Sequence, residues 1–407
     1  MCDKFLTSLF LPKTLISDFK KLVQYKIYKS QTFKEPDNET LMLIPSERCN
    51  LRCSYCYEHN KVPLRMDIQT AKDALQNAFT ELQSGKCLKI EFRGGEPFLE
   101  FDFIRDVCDW VIKTFPGKRF FFYAATNGTC FTNEAKAWLQ KHKEIFVAPL
   151  SIDGARATHN HNRSNSFDLI DFDFIFNTWD NPSTYTTILP ENAAEVFKDL
   201  KFLMDKGFEI RANIEFAQQW SCEQLMKLAE NFKKLADYAL EKHISNHINL
   251  LSCHGFLDYV HGTNAVIKEN RKHFLACNAG SHRRIVAADG KMYPCHAFVP
   301  SAFNWSKVSK DSDFFAKLKT EELHPPECCN CNFFYLCHIC PGFSYGFAGD
   351  FKWRNPSICT ITRIRTFLAA YYWGLRLAEN IGDDTIEDRN VIIAKVVDLY
   401  QGEKVYE

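Results

Sequence analysis

Cys49, Cys53 and Cys56 lie in the stretch Cys49-Asn50-Leu51-Arg52-Cys53-Ser54-Tyr55-Cys56-Tyr57, a C-x3-C-x2-C spacing. Three thiolates so placed suit a cuboidal iron–sulfur cluster, whose four irons then include one without a protein ligand. An open metal corner binds something other than protein, and chemistry usually happens there. The alternative is a zinc knuckle. Zinc sites favour paired C-x2-C elements closed to four ligands, and no nearby Cys or conventionally spaced His closes this one.

The wider composition agrees with metal-binding thiols. The chain has 407 residues and seventeen cysteines. The apolar stretch Phe5–Leu11 is short and no small-residue cleavage site follows it, which excludes a signal peptide. No apolar run reaches transmembrane length. Without an export signal the cysteines argue against a disulfide framework, and reduced thiols in a cytoplasm with little oxygen fit better. Lys+Arg and Asp+Glu balance at 50 each, so no net field draws the chain to nucleic acid or to a membrane. This length accommodates one large α/β domain with an appendage.

The positioning elements alternate. Residues 1–40 read as an N-terminal extension with a short helix near Ile16–Val23. Strands follow at Leu41–Ile44, Cys87–Phe92, Phe120–Thr126, Ile145–Ile152, Tyr185–Ile188 and Phe208–Phe216. Between and after them, helices fall at Asp67–Gln83, Phe101–Thr114, Asn133–His142, Ala193–Lys206 and Cys222–Lys242. This alternation predicts an α/β fold with a parallel sheet and helices outside it, a partial (β/α)6 barrel over 41–265. Residues 270–360 are rich in Cys, Gly, Pro and Asn with short strand signals such as Arg284–Ala287, so metal must help to hold them. A helix at Ile361–Ala378 opens a C-terminal helical segment, 361–407.

The cysteine loop resembles that of the radical S-adenosylmethionine (SAM) superfamily, which follows the first barrel strand and ends on an aromatic residue. The resemblance implies that Cys49, Cys53 and Cys56 ligate a 4Fe–4S cluster whose open iron chelates SAM. One-electron cleavage then gives a 5′-deoxyadenosyl radical that abstracts hydrogen. Tyr57 would lie near the adenine. Gly94-Gly95-Glu96-Pro97 resembles the segment that receives the SAM amino group, and glycines at a strand end let backbone approach a ligand closely. Thr126-Asn127-Gly128 and Ser151-Ile152-Asp153-Gly154 end the next two strands, with Ser151 placed to reach SAM. Each motif alone reads as a simple turn, but all four fall at C-terminal strand ends, where barrels of this kind gather ligands.

The tail resembles a SPASM domain, a TIM-like barrel's Cys-rich companion that carries two auxiliary 4Fe–4S clusters. Cys277, Gly290 and Cys295 open its pattern. By resemblance Cys328, Cys331, Cys337 and Cys359 hold one auxiliary cluster, and Cys277, Cys295 and Cys340 the other, making three clusters in all. Structural zinc at the C-x2-C pairs 328–331 and 337–340 is the alternative. The resemblance covers residues 41–360. Its members modify ribosomally made peptides or proteins and include thioether and carbon–carbon crosslinking maturases and anaerobic sulfatase maturases.

Departures from that pattern bear on the reaction. Cys337 and Cys340 are two residues apart where three is commoner, and the following Pro341-Gly342 resembles a subset of peptide maturases. Cys329 doubles Cys328 without giving the x2 step to Cys331. No cysteine lies between Cys277 and Cys295, so that cluster keeps an open iron or takes His282, Cys253 or another group. His296 stands where sulfatase maturases place an Asp base. It is the candidate catalytic residue, either as a proton acceptor or as a neighbour hydrogen-bonded near a cluster sulfur. His243 and His247 read as a solvated helix face, and Asp168, Asp171 and Asp173 as part of an amphipathic segment. Cys2, Cys87, Cys108, Cys130 and Cys222 read as small buried residues.

The expected function is a radical SAM/SPASM peptide maturase, an oxidoreductase that forms a thioether or carbon–carbon crosslink in a precursor peptide. It would take electrons from an external donor such as flavodoxin or ferredoxin. Formylglycine production, peptide epimerisation and a non-enzymatic zinc-binding module are the alternatives. About forty residues before the barrel are too few for a winged-helix leader-binding domain, so a leader would dock on barrel or SPASM surfaces, for example by strand addition.

Overall fold

The computed structural model describes residues 2–11, 14–16, 38–58, 60–215, 217–244, 248–252, 279, 283–300, 302, 323–328, 331, 333, 337 and 340–378. Strands β1 (Asn38–Ser46), β2 (Cys87–Gly94), β3 (Phe120–Ala124) and β4 (Phe146–Val147) are parallel neighbours. A second parallel group contains β5 (Leu150–Ser151), β6 (Ser183–Ile188) and β7 (Glu209–Ile214). A bridge from Thr126 to Leu150 joins the groups. The six expected βα steps are therefore present. The strand expected over 145–152 is split in two around Pro149, which has no N–H to give to a ladder.

The helices outside the sheet start where the sequence supplies caps. Asp67 accepts from Gln69 N at 2.8 Å ahead of α2 (Ile68–Glu81), which follows α1 (Cys2–Phe10). Further along, α3 (Phe101–Thr114) precedes α4 (Asn133–Lys141), where Thr132 accepts from Ala135 N at 3.1 Å. Two short helices not expected from the sequence, α5 (Arg156–Asn162) and α6 (Phe172–Thr178), come before α7 (Val196–Asp205). Ser221 and Gln224 form a reciprocal capping box at α8 (Cys222–Glu241). Each cap contributes about 1 kcal/mol. Asp171, expected in an amphipathic segment, caps α6 at Phe174 N (2.9 Å) and pairs with Lys136, while Asp168 pairs with Arg156.

The Cys-rich region joins the barrel at its first strand. Strand β8 (Arg283–Val286) pairs parallel with β1, and β9 (Met292–Tyr293) pairs antiparallel with β8. As a result β1 serves two cores. Leu41 and Leu43 enter the main core beneath the helices, whereas Met42 and Ile44 pack with Ile285, Tyr293 and Phe298. Strand side chains alternate between faces, so one β1 sequence can do both.

At the other end of the sheet, the β7 edge is covered near Ala212. Asn249 accepts from Ala212 N at 2.8 Å and donates to Ala212 O at 3.0 Å. Helix α9 (Pro341–Ala348) precedes α10 (Ser357–Ala378). The latter is anchored by Tyr372 to Ile244 O (2.7 Å) and Trp373 to Leu251 O (3.0 Å). The N-terminal residues expected as an extension include α1, which buries Leu6 and Phe10 in the main core, with Phe10 6.1 Å from Tyr371. Among the described residues, no helix is long and apolar enough to cross a membrane.

Candidate functional site

The loop after β1 carries Cys49, Cys53 and Cys56, all partly buried and free. It is tied to two other strand ends and to the end of α5 by its own backbone and side chains. Ser54 N donates to Asn162 O at 2.9 Å and Arg52 N to Ser164 Oγ at 2.9 Å. Asn127 Nδ2 donates to Asn50 Oδ1 at 2.9 Å, and the Tyr55 hydroxyl to Asp153 Oδ2 at 2.8 Å. Burial pushes the Cys49 and Cys53 thiols up, and each feels the charge of Cys56. Metal binding would displace their protons. Among the described residues, no three His, Cys, Asp or Glu side chains converge on a single-ion position. A cuboidal cluster, which takes one thiolate per iron, does not require such convergence. Three thiols at this spacing on one loop fit that demand.

The Gly94-Gly95-Glu96-Pro97 turn sits against this loop. A Cβ on Gly94 would lie 2.2 Å from Ser46 O, and one on Gly95 2.1 Å from Arg48 O. The close approach expected toward a ligand is thus, for both Cα atoms, an approach to the cysteine-loop backbone. Glu96, expected to bind cofactor, is buried and braces the site. Its carboxylate accepts from Phe98 N (3.1 Å), Thr126 Oγ1 (2.7 Å) and Asn127 N (2.7 Å). Burial raises its pKa, against which these donors work. Pro97 opens the 3₁₀ turn that Glu96 caps.

The other strand-end residues divide similarly. Asn127 Oδ1 accepts from Thr129 N at 3.0 Å, so both ends of its amide are engaged within the protein. The Asp153 carboxylate, also expected at the cofactor, is filled by protein donors. It accepts from Tyr55, from Arg163 Nε (3.0 Å) and Nη2 (3.1 Å), from Asn162 Nδ2 (3.3 Å) and from Thr187 N (3.0 Å). The half-buried Ser151 has its backbone N on Thr126 O at 2.7 Å. Sequence reading missed Tyr55 and Arg163, whose shared partner Asp153 is 98 residues from the first and 10 from the second. An aromatic residue between two cluster cysteines was the only signal.

The C-terminal region faces the loop through aromatic rings. Tyr57 lies 5.5 Å from His296 and 5.3 Å from Phe343, ring centroid to centroid. Burial, then the Arg93 charge, pushes the His296 pKa down to about 3, and its Nδ1 has no hydrogen-bond partner among the described residues. That surrounding favours a neutral packing ring over a proton acceptor.

The structure brings Cys328, Cys331, Cys337 and Cys359 into one electrostatic neighbourhood, with Cys359 acting on both Cys328 and Cys337. Burial lifts Cys337 to about 11 even though Thr362 donates to its sulfur at 3.6 Å. Arg354 faces the same thiols, and its Nε is buried without a partner among the described residues. Cys295 is buried at the end of the β9 segment, and Cys340 precedes α9. Cys277, His282, Cys253, Cys329 and His247 lie outside the described residues, as does most of the helix expected at 16–23. His243 is in the turn after α8. Of the cysteines expected to be buried, Cys108 is; Cys87 and Cys130 are half-buried, Cys222 is exposed on the first turn of α8, and the Cys2 side chain lies outside what is described. Cys130 lies beside Cys49 in the β3 exit loop.

Comparisons with known proteins point the same way. The family described as a 4Fe-4S single cluster domain matches residues 41–170. An uncharacterized protein of Methanocaldococcus jannaschii is 29% identical over 202 residues, 48% of this chain and 69% of that one. A cysteine-type anaerobic sulfatase-maturating enzyme of Clostridium novyi is 25% identical, covering 72% of this chain and 84% of the relative. The antilisterial bacteriocin subtilosin biosynthesis protein AlbA of Bacillus subtilis is 24% identical over 70% of this chain and 60% of its own.

Among solved structures, native anSMEcpe with bound AdoMet and Cp18Cys peptide superposes with a TM-score of 0.64 at 20% identity, covering 85% of this chain and all of that one. Streptococcus suis SuiB bound to precursor peptide SuiA gives 0.56 at 15% identity, over 87% and 88% of the two chains. Motifs, fold and relatives agree in likening this chain to radical SAM/SPASM proteins.

Proposed function

We propose that this protein is a radical SAM maturase that crosslinks a ribosomally made precursor peptide through a thioether or carbon–carbon bond. The observation that carries the reading is the assembly of three strand-end motifs around one cysteine loop, braced by Glu96 and Asp153. Cys49, Cys53 and Cys56 would hold the SAM cluster, and Cys328, Cys331, Cys337 and Cys359 an auxiliary one. Cys277, Cys295 and Cys340 would hold the third.

When bound, the cluster and SAM supply a one-electron cleavage that yields a hydrogen-abstracting radical. The chain's own residues place and enclose it. Tyr57, Ser151 and the backbone of Gly94-Gly95 border the SAM pocket. Thr126, Asn127, Glu96 and Asp153 hold those segments in register. His296 and Phe343 close over Tyr57 and exclude water from the lumen side. Arg48, Arg52 and Arg65 are exposed around the loop, which suits an acidic electron donor of the flavodoxin or ferredoxin kind. A reducing cytoplasm fits seventeen cysteines that must stay reduced to bind metal. With Asn249 covering the β7 edge at Ala212, a leader peptide would have to dock elsewhere.

Formylglycine production is the second reading, favoured by the relative in Clostridium novyi that aligns over 84% of its length. Anaerobic incubation of reconstituted protein with SAM, reductant and candidate peptides separates the two. Loss of two hydrogens from the peptide supports crosslinking. Conversion of a Cys side chain to an aldehyde supports the second reading. Deuterium uptake from solvent without net mass change would instead indicate epimerisation.

A further inference from the structure

The barrel lumen of β2 is charged. Leu88, Ile90 and Phe92 face the outer core, so by strand alternation Lys89, Glu91 and Arg93 face inward. Glu91 is 1% exposed and receives both Arg93 Nε at 2.5 Å and Lys89 Nζ at 2.7 Å. One buried carboxylate therefore faces two cations. On the neighbouring strand Tyr123 is in register with Glu91; its hydroxyl is 2.6 Å from that of Tyr185 on β6, and Lys89 Nζ lies 3.6 Å from its ring centre.

A third cation, Arg211, reaches Tyr123 OH at 3.4 Å. Its acidic neighbour Glu209 is 3.7 Å away, at the outer limit of an ion pair, and the two side chains are 40% and 44% exposed. Barrel interiors that serve stability alone are filled by branched apolar side chains, whereas the cations here stay partly exposed and reachable, Arg93 at 29% and Arg211 at 40%. Guanidinium forks match carboxylates in shape as well as charge.

We propose that Arg93 and Arg211, presented by Glu91, Tyr123 and Tyr185, bind a carboxylate of the substrate, namely an Asp or Glu near the residue that is modified. The proposal rests on the peptide-maturase reading and adds a substrate class to it. Its placement is apt: Arg93 directly precedes Gly94-Gly95 in the sequence, and its charge acts on both Tyr57 and His296. The carboxylate of SAM has the same chemistry, and the test separates the two sources.

The test uses reconstituted holoprotein with SAM to select from short displayed peptides randomised around a fixed central cysteine, without turnover. Wild-type protein should enrich Asp or Glu at one position about tenfold, the effect of one charge-assisted hydrogen bond. Arg211→Gln, which orphans no buried acid, and Arg93→Lys, which keeps a charge for Glu91 but loses the fork, should both flatten that preference while iron content and SAM affinity persist. Enrichment without acidic preference, or no enrichment at all, overturns the proposal. So does a variant that loses SAM affinity while keeping the acidic preference, since its guanidinium then serves the cofactor. Iron content and SAM cleavage measured on the same wild-type sample show separately whether the radical SAM reading itself has failed.

Discussion

The Tyr55 hydroxyl donates to Asp153 Oδ2 at 2.8 Å, coupling the middle of the cysteine loop to the exit of β5. The same carboxylate holds Arg163 through two nitrogens, and the Arg163 guanidinium lies 5.3 Å from the Tyr55 ring centre. Loop and barrel are thus joined by one buried charge pair whose parts are useless singly.

Removing the acid should therefore cost far more than removing the phenol. Asp153→Asn leaves Arg163 buried without its counter-charge, a loss of about 3–5 kcal/mol. Tyr55→Phe removes one hydrogen bond to a charged acceptor, about 1.5–3 kcal/mol. Urea denaturation of the metal-free proteins measures both; equal losses would mean that Asp153 is not the hub.

Gly95 makes a steric prediction. Gly95→Ala places a methyl 2.1 Å from Arg48 O and must displace the cysteine loop, so iron retention at Cys49, Cys53 and Cys56 should fall sharply. Gly85→Ala, with nothing within 4 Å of its Cβ but a φ of +84°, should cost about 1 kcal/mol through backbone strain alone and leave iron content unchanged. Iron analysis of the two variants side by side is the check.

Asp199 predicts a pH dependence away from the metal residues. Burial raises its pKa from 3.8 to about 6, although it accepts from Ala155 N at 2.9 Å. A carboxyl raised in the folded state contributes stability that is full below its unfolded pKa and is lost as pH rises through the folded one. Relative to Asp199→Asn, the wild-type protein should lose up to about 3 kcal/mol between about pH 4 and 7. Parallel stability–pH curves for the two proteins would remove Asp199 as the cause.

Auxiliary-cluster ligation gives a stoichiometric prediction. Reconstituted wild-type protein should hold about twelve irons, and Cys337→Ser about four fewer. Cys222→Ser, at an exposed thiol on α8, should match the wild type. Zinc in place of iron would return the non-enzymatic alternative.

What the sequence made legible was local. Helix α3 carries the periodicity of its buried Phe101, Ile104, Val107, Cys108 and Val111, and its limits were readable to the residue. Helix α5 was not, because Arg156–Asn162 is polar and has no side-chain cap. Asp171 did offer a capping signal for α6. The four motifs were readable as strand ends, but not the reason for their polar residues. The bracing of Glu96 by Thr126 and of Asp153 by Tyr55 was hidden because those partners are 30 and 98 residues distant. The pairing of β8 with β1 joins segments more than two hundred residues apart through four residue pairs, and no local pattern encodes it.

The most direct measurement is 5′-deoxyadenosine formation by anaerobically reconstituted protein given SAM and dithionite. Wild-type protein should produce it even without peptide, Cys53→Ala should produce none, and Cys337→Ala should retain cleavage. If wild-type protein with its full complement of iron yields no 5′-deoxyadenosine, or if Cys53→Ala yields as much as the wild type, then the Cys49–Cys56 loop is not a SAM-cleaving site.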